Sequence, residues 1–212
     1  MVKAIIFDLQ GTLVENGVFP SPLKQVMYIL RIDAPFSDFV MRFEHAFMTT
    51  SHESLKDAFI NVCEEFHVIP KEYIIDKLVG LWNKNKLLAK IYPDVLSTLD
   101  SLKGKYKLIL VANIDCFSKE IIDRFNLREY FDIIVLSCET GILKNEKEFY
   151  NKVVDTYDLL PEDVILVGDS MDSDISIAHD LGIKGILVDR KNRREYEPKV
   201  LVLNDLTKYL GE

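Results

Sequence analysis

An α/β fold built on a parallel sheet is predicted from three observations. Short Val/Ile/Leu-rich runs recur along the 212 residues. Helix-like stretches separate most of them. The runs are apolar throughout, as strands buried on both faces are. They span Val2 to Phe7, Lys107 to Val111, Asp132 to Leu136, Val164 to Val167 and Gly185 to Val188, with a weaker sixth from Val200 to Leu203. A chain of this length buries a large core and has room for a sizeable insertion. It contains no internal repeat and no low-complexity segment.

The first run ends in Asp8-Leu9-Gln10-Gly11-Thr12, where Gly-Thr reads as the turn leaving the strand. An aspartate at the carboxyl end of such a strand sits where open α/β sheets place their ligands. Residues 20–90 contain no convincing strand. They carry helical periodicity instead: Leu23, Val26, Met27, Leu30; then Phe39, Val40, Phe43, Phe47; then Leu55, Ala58, Phe59, Val62, Cys63, Phe66; and a fourth segment from Tyr73 to Leu88. Ser51-His52-Glu53-Ser54 offers a start for the third helix, and Pro35 and Pro70 punctuate the joins. An all-helical unit over 17–90 is therefore expected, inserted into a core made of 1–16 and 91–212. A dimerisation bundle is an equal reading of the insertion alone, and its aromatic stripe reads as core before pocket lining.

Composition narrows the function classes. With 26 basic and 34 acidic residues the net charge is −8, which argues against a nucleic-acid backbone as a general partner. The interrupted basic run Arg190-Lys191-Asn192-Arg193-Arg194 reads as a solvated loop. Cys63, Cys116 and Cys138 are odd in number and form no Cys-x-x-Cys pair, the pattern of reduced thiols in a cytoplasmic protein. No apolar stretch approaches a membrane span, and Met1-Val2-Lys3 leads into a short strand and not a signal segment. Monomer and homodimer both stay open.

Three later stretches accompany Asp8. Leu108-Ile109-Leu110-Val111-Ala112-Asn113 is a strand ending in a small residue and an amide, a common ending in α/β proteins. Lys144 follows Glu139-Thr140-Gly141-Ile142-Leu143, either as a fixed cation or as a surface lysine opening a helix. Val164 to Asp169 is a strand with an acidic end, followed by Ser170-Met171-Asp172-Ser173-Asp174 and a helix that stops at Gly182. A carboxylate such as Asp8 can attack phosphorus or carbon and form a covalent intermediate, or it can merely end a strand and cap the next turn. Clustered carboxylates need a compensating cation, and hard Mg²⁺ with oxygen ligands suits them.

In order and spacing these stretches resemble the four motifs of the haloacid dehalogenase (HAD)-like hydrolases, in the subgroup with a helical cap after the first motif. The resemblance implies a Rossmann-like sheet with the Asp8 strand central, and a small phosphorylated metabolite as substrate. Asp8 would be the nucleophile, and Thr12 would support its loop. Ala112 and Asn113 stand at the phosphate-binding position, where Ala112 lacks the usual hydroxyl. Lys144 would neutralise phosphate charge and steady Asp8, although Asn145 replaces the usual proline. Asp8, the backbone carbonyl of Gln10 and Asp169 would hold Mg²⁺, with Asp174 acting through water or from outside. Asp172 would cap the helix or serve as an alternative ligand.

Gln10 departs from the pattern. Family phosphatases carry there an aspartate that protonates the leaving group and later activates water, and an amide does neither. The step lost is worth about 10² to 10⁴ in rate. Three readings compete: a phosphohydrolase that takes good leaving groups or borrows a donor from its cap, with His45, His52 and His67 as candidates; a phosphate-binding or phosphoacceptor protein; and a haloacid dehalogenase, which needs no leaving-group proton. The acid cluster Asp169, Asp172 and Asp174 counts against the last, because a haloacid is itself an anion.

Overall fold

The computed structural model describes residues 2–156 and 159–210. Six strands form one parallel sheet: β1 (Ala4–Asp8), β4 (Lys107–Ala112), β5 (Ile133–Leu136), β6 (Val164–Gly168), β7 (Lys184–Val188) and β8 (Lys199–Val200). Their order is β5-β4-β1-β6-β7-β8, with β1 between two parallel neighbours. Every residue of β1 is buried, as a strand covered on both faces requires. Its register sets Asp8 opposite Val111, so the aspartate is the last residue of the ladder. The strand thus begins and ends later than the apolar run from Val2 to Phe7 suggests.

Alternation along the strands builds two cores. Ile5 and Phe7 join Leu108, Leu110, Ile165 and Val167 on one face, under helices α5 (Val95–Leu102), α6 (Glu120–Arg124) and α10 (Thr207–Leu210). Ala4 and Ile6 join Ile109, Val111 and Leu166 on the other, under α8 (Lys147–Thr156) and α9 (Ser176–Asp180). Of the sixth expected strand, Val200 to Leu203, only Val200 pairs, together with Lys199 before it. Leu203 instead opens a 3₁₀ turn whose backbone N–H goes to the Asp94 carboxylate.

The four expected helices are α1 (Pro22–Leu30), α2 (Phe36–Met48), α3 (Leu55–Glu65) and α4 (Glu72–Leu88). Ser54 caps α3 as its position suggests: its Oγ accepts from the Asp57 N–H at 3.2 Å and donates to the Asp57 carboxylate at 2.6 Å. These helices close around an apolar cluster that also takes in Leu143 from outside the segment. Phe47 lies 5.0 Å from Phe43, 4.8 Å from Phe59 and 4.9 Å from Trp82, centroid to centroid. The aromatic stripe is core, as read from the sequence.

The chain enters and leaves this helical unit through a two-stranded antiparallel neck, β2 (Val14–Glu15) against β3 (Lys90–Ile91). Its strands are too short to read from sequence. Gly17 sits just beyond it because a Cβ there would overlap backbone atoms of Asn85, Leu88 and Ala89. Its N–H bonds the Asn85 side chain at 2.9 Å.

Candidate active site

The carboxyl ends of β1, β4 and β6 converge with the loop after α7 (Ser137–Thr140) on one buried cluster. Lys144 Nζ donates to Asp8 Oδ1 and, at 2.8 Å, to Asp174 Oδ1. Asp174 Oδ2 accepts from the Ser170 N–H at 2.9 Å, so both its oxygens are engaged. Asp8, Asp169 and Asp174 each bring an oxygen within 4.8 Å of the others. Lys144 is therefore a buried cation and not a surface lysine.

Three carboxylates face one ammonium, and burial sharpens the imbalance. Burial pushes the Asp8 carboxyl up; Lys144 opposes that rise and Asp174 adds to it. Asp169 is raised by burial, then by Asp8 and Asp174. Lys144 is held well above its usual range because Asp174 and Asp8 outweigh its own desolvation. The donor set is all oxygen and carries excess negative charge, so a hard divalent cation fits it. Two glycines make room for it. A Cβ on Gly11 (φ +86°) would overlap the Asp169 carboxylate, and one on Gly168 would overlap Asp174.

The turn after β1 is tied tightly. Leu13 and Val14 N–H groups both reach the Leu9 carbonyl at 2.9 Å, and the Gly11 N–H reaches the Val14 carbonyl at 2.8 Å. Thr12 is buried with its hydroxyl near Asp8, where it draws the Asp8 pKa down without completing a hydrogen bond. Arg190 clamps the turn from outside, donating to the Thr12 carbonyl at 2.7 Å and to Asp94 at 2.6 Å. Arg194 donates to the Asp169 carbonyl. The basic run is thus only partly the solvated loop expected: residues 191–194 are exposed, but Arg190 and Arg194 at its two ends also brace the site.

Ala112 ends β4 buried and offers no side-chain polar group. The nearby Ser137 hydroxyl does not replace it, being committed to the Ile114 N–H at 3.0 Å and the Met48 carbonyl at 2.8 Å. Asn113 accepts from the Lys144 N–H at 2.8 Å and donates to Glu44 Oε2 at 2.7 Å. The Gln10 side-chain oxygen is buried without a hydrogen-bond partner among the described residues. Asp172 is exposed and does not cap the following helix. Ser170 does so, accepting from the Ser173 N–H at 3.1 Å, because a π turn over Met171–Ile175 shifts the start.

A cavity of about 780 Å³ lies between the cluster and α1, α2 and α4, lined by Asp8, Gln10, Asn113, Lys144 and Asp169 on its sheet side. His45, His52 and His67 do not line it. His45 and His67 are exposed, and His52 bonds the Ala46 carbonyl at 3.2 Å. Glu44 does line it, and no sequence signal singled that residue out. Burial lifts its carboxyl to about 7, against the pull of Lys144 and Asn113. Deeper in, the Trp82 indole N–H donates to Asp115 Oδ2 at 3.0 Å, holding a second buried carboxyl.

A buried carboxylate–lysine pair among further aspartates, at the carboxyl edge of a Rossmann-like sheet and facing a cavity under helices, fits a hydrolase built on a Rossmann-like core. Residues 2–182 match the family model of the haloacid dehalogenase-like hydrolases, and the chain belongs to that family. It is 31% identical over 193 residues to the phosphoglycolate phosphatase of Aquifex aeolicus, covering 88% of this chain and 84% of that protein. It is 28% identical over 193 residues to the glyceraldehyde 3-phosphate phosphatase of Methanocaldococcus jannaschii, covering 86% and 83%. The fold matches the crystal structure of a HAD phosphatase from Thermococcus onnurineus with a TM-score of 0.66, at 22% identity over 99% and 98% of the two chains. Among the described residues no helix is long and apolar enough to cross a membrane.

Proposed function

We propose that the protein is a Mg²⁺-dependent phosphatase of small phosphorylated metabolites, acting through an aspartyl-phosphate on Asp8. One observation carries the reading: Asp8 is fixed through one oxygen by Lys144 inside a three-carboxylate cluster, while its Oδ2 has no hydrogen-bond partner among the described residues. Oδ2 attacks phosphorus, the ester P–O bond breaks, and water later hydrolyses the acyl phosphate. Lys144 and Asn113 hold phosphate oxygens. Asp8, the Gln10 carbonyl and Asp169 would hold Mg²⁺, which when bound neutralises phosphoryl charge. Asp174, with both oxygens engaged, acts from outside by fixing Lys144. The helices of 17–90 form a cap over the core of 1–16 and 91–212. Three unpaired thiols fit a cytoplasmic enzyme.

The relatives' names favour a small phosphate ester. The cavity wall adds that, among the described residues, six carboxyl groups face it against three cations, Lys86, Lys144 and Arg194. That balance favours a hydroxylated, uncharged body on the substrate over a second anion. The same excess of acid disfavours a haloacid. The test is Mg²⁺-dependent phosphate release from a panel of phosphoesters and acyl phosphates, with Asp8→Asn alongside. Turnover in the wild type, lost in a folded Asp8→Asn, is expected; turnover that survives the substitution overturns the mechanism. Binding of phosphate without turnover would assign a phosphate-binding role instead.

A further inference from the structure

We propose that Glu44, on α2, is the group that gives a proton to the leaving oxygen and later takes one from the attacking water. This role rests on the phosphatase reading above. Gln10 occupies the position beside Asp8 from which an acid would act, and an amide has no proton to exchange there. The proton must come from elsewhere on the cavity wall. The attacking and leaving oxygens of a phosphoryl transfer lie roughly in line. With Asp8 at the sheet edge, the leaving oxygen points toward the helices.

Glu44 stands on that side. Its carboxylate is 2.7 Å from Asn113 Nδ2, and Asn113 Oδ1 accepts from the Lys144 backbone. One side chain thus separates Glu44 from the Lys144–Asp8 pair. Among the acids of α2, Asp38 also lines the cavity, but it is 43% exposed and faces Arg42 at 3.8 Å. The charged groups acting on Glu44 are Lys144, Asp8 and Asp174, with Asp115 across the cavity. Burial, with Asp8 and Asp174 adding to it, outweighs Lys144 and the Asn113 hydrogen bond and lifts the carboxyl to about 7, the range in which one group can both donate and accept at neutral pH.

The protons balance over two steps. As the Asp8 Oδ2–P bond forms and the ester P–O bond breaks, the leaving oxygen takes the Glu44 proton. As water oxygen bonds to phosphorus and the aspartyl P–O bond breaks, the Glu44 carboxylate takes the proton back.

The test compares a simple alkyl phosphate, whose alkoxide leaves poorly, with acetyl phosphate, whose acetate needs no proton, across pH 5 to 9 with Mg²⁺. Glu44→Gln should lose about 10² to 10⁴ in kcat/KM on the alkyl ester. Its loss on acetyl phosphate should be smaller by about 10² or more. The fall of wild-type alkyl-ester activity above about pH 7 should vanish in the variant. Adding Gln10→Asp to Glu44→Gln should restore alkyl-ester turnover, since it returns an acid to the position beside Asp8 from which one would act. Equal losses on both substrates, with no rescue, would make Glu44 a structural partner of Asn113 and overturn the role alone. Wild-type turnover that is absent, or independent of Asp8, would overturn the phosphatase reading and the Glu44 role with it.

Discussion

Magnesium should stabilise this protein in proportion to how much charge the acid cluster carries. Two ionised carboxylates within 4.8 Å of each other repel by at least about 3 kcal/mol at an effective dielectric constant of about 20. Lys144 offsets part of that for Asp8 and Asp174 and leaves the set with two excess negative charges. Because burial and repulsion raise Asp8 and Asp169, the native metal-free protein retains protons that the unfolded chain has released. These groups' contribution is therefore greatest in acid and is lost as pH rises through their raised values. A bound divalent cation reverses the penalty. At a concentration 100 times its Kd it adds about 2.7 kcal/mol. An unfolding entropy of about 2.1 cal/mol/K per residue over 212 residues is about 450 cal/mol/K, so the melting temperature should rise by about 6 °C. The assay is thermal unfolding followed by circular dichroism, in chelator and in Mg²⁺, at pH 5 and pH 8. The gain should be larger at pH 8, and Asp169→Asn should remove most of it while leaving the metal-free protein as stable or more so. Equal melting temperatures in chelator and Mg²⁺ at pH 8, or an undiminished gain in Asp169→Asn, would refute the argument.

Other parts of the site can be tested independently. Trp82→Phe keeps an aromatic ring in the core but replaces the indole and takes its N–H from Asp115 Oδ2, and should cost at least about 1–3 kcal/mol in urea unfolding; an unchanged midpoint would mean the pair adds nothing. Gly11→Ala puts a Cβ where the Asp169 carboxylate lies, on a backbone at φ +86°, so it should lower stability and abolish the Mg²⁺-dependent thermal shift together. Phe43→Ala removes a fully buried ring that meets Phe39, Phe47, Phe59 and Trp82, and should cost about 3–5 kcal/mol; a loss under 1 kcal/mol would mean that the helical core collapses to fill the space.

What sequence could carry here depended on how local each signal was. The Asp8 and Asp169 strands announce themselves because apolar run, acid and glycine lie within a few residues of one another, and the sheet edge does the rest. The helices of 17–90 were legible because their apolar residues recur three and four apart, as in Leu55, Ala58, Phe59 and Val62, a pattern that one helix face collects and a strand splits between two faces. In α2 the core stripe is Phe39, Phe43 and Phe47. Glu44 was not legible for the same reason. Val40, Glu44 and Met48 form the neighbouring stripe of α2 and line the cavity, but nothing local distinguishes that stripe from an ordinary flank. Its partner Asn113 is 69 residues away and is brought close only by tertiary packing. The Trp82–Asp115 bond is hidden in the same way. Ser170 displaced Asp172 as the helix cap because a π turn moved the start, and no residue preference foretells that shift.

The neck has a consequence for how such a protein can change. Val14 and Ile91 are already paired across an antiparallel ladder, so the ends of everything between them lie one hairpin's width apart. A two-residue turn can span that gap. The helical segment can therefore be lengthened or exchanged at the neck without altering the order of the parallel strands, provided the replacement supplies partners for Asn113, Asp115 and Ser137. Asp8, Lys144, Asp169 and Asp174 would stay behind with the sheet, and Glu44 would leave with the helical segment. On the proposals above, a single recombination at the neck would replace both the pocket that selects the substrate and the proton donor, while leaving the nucleophile untouched.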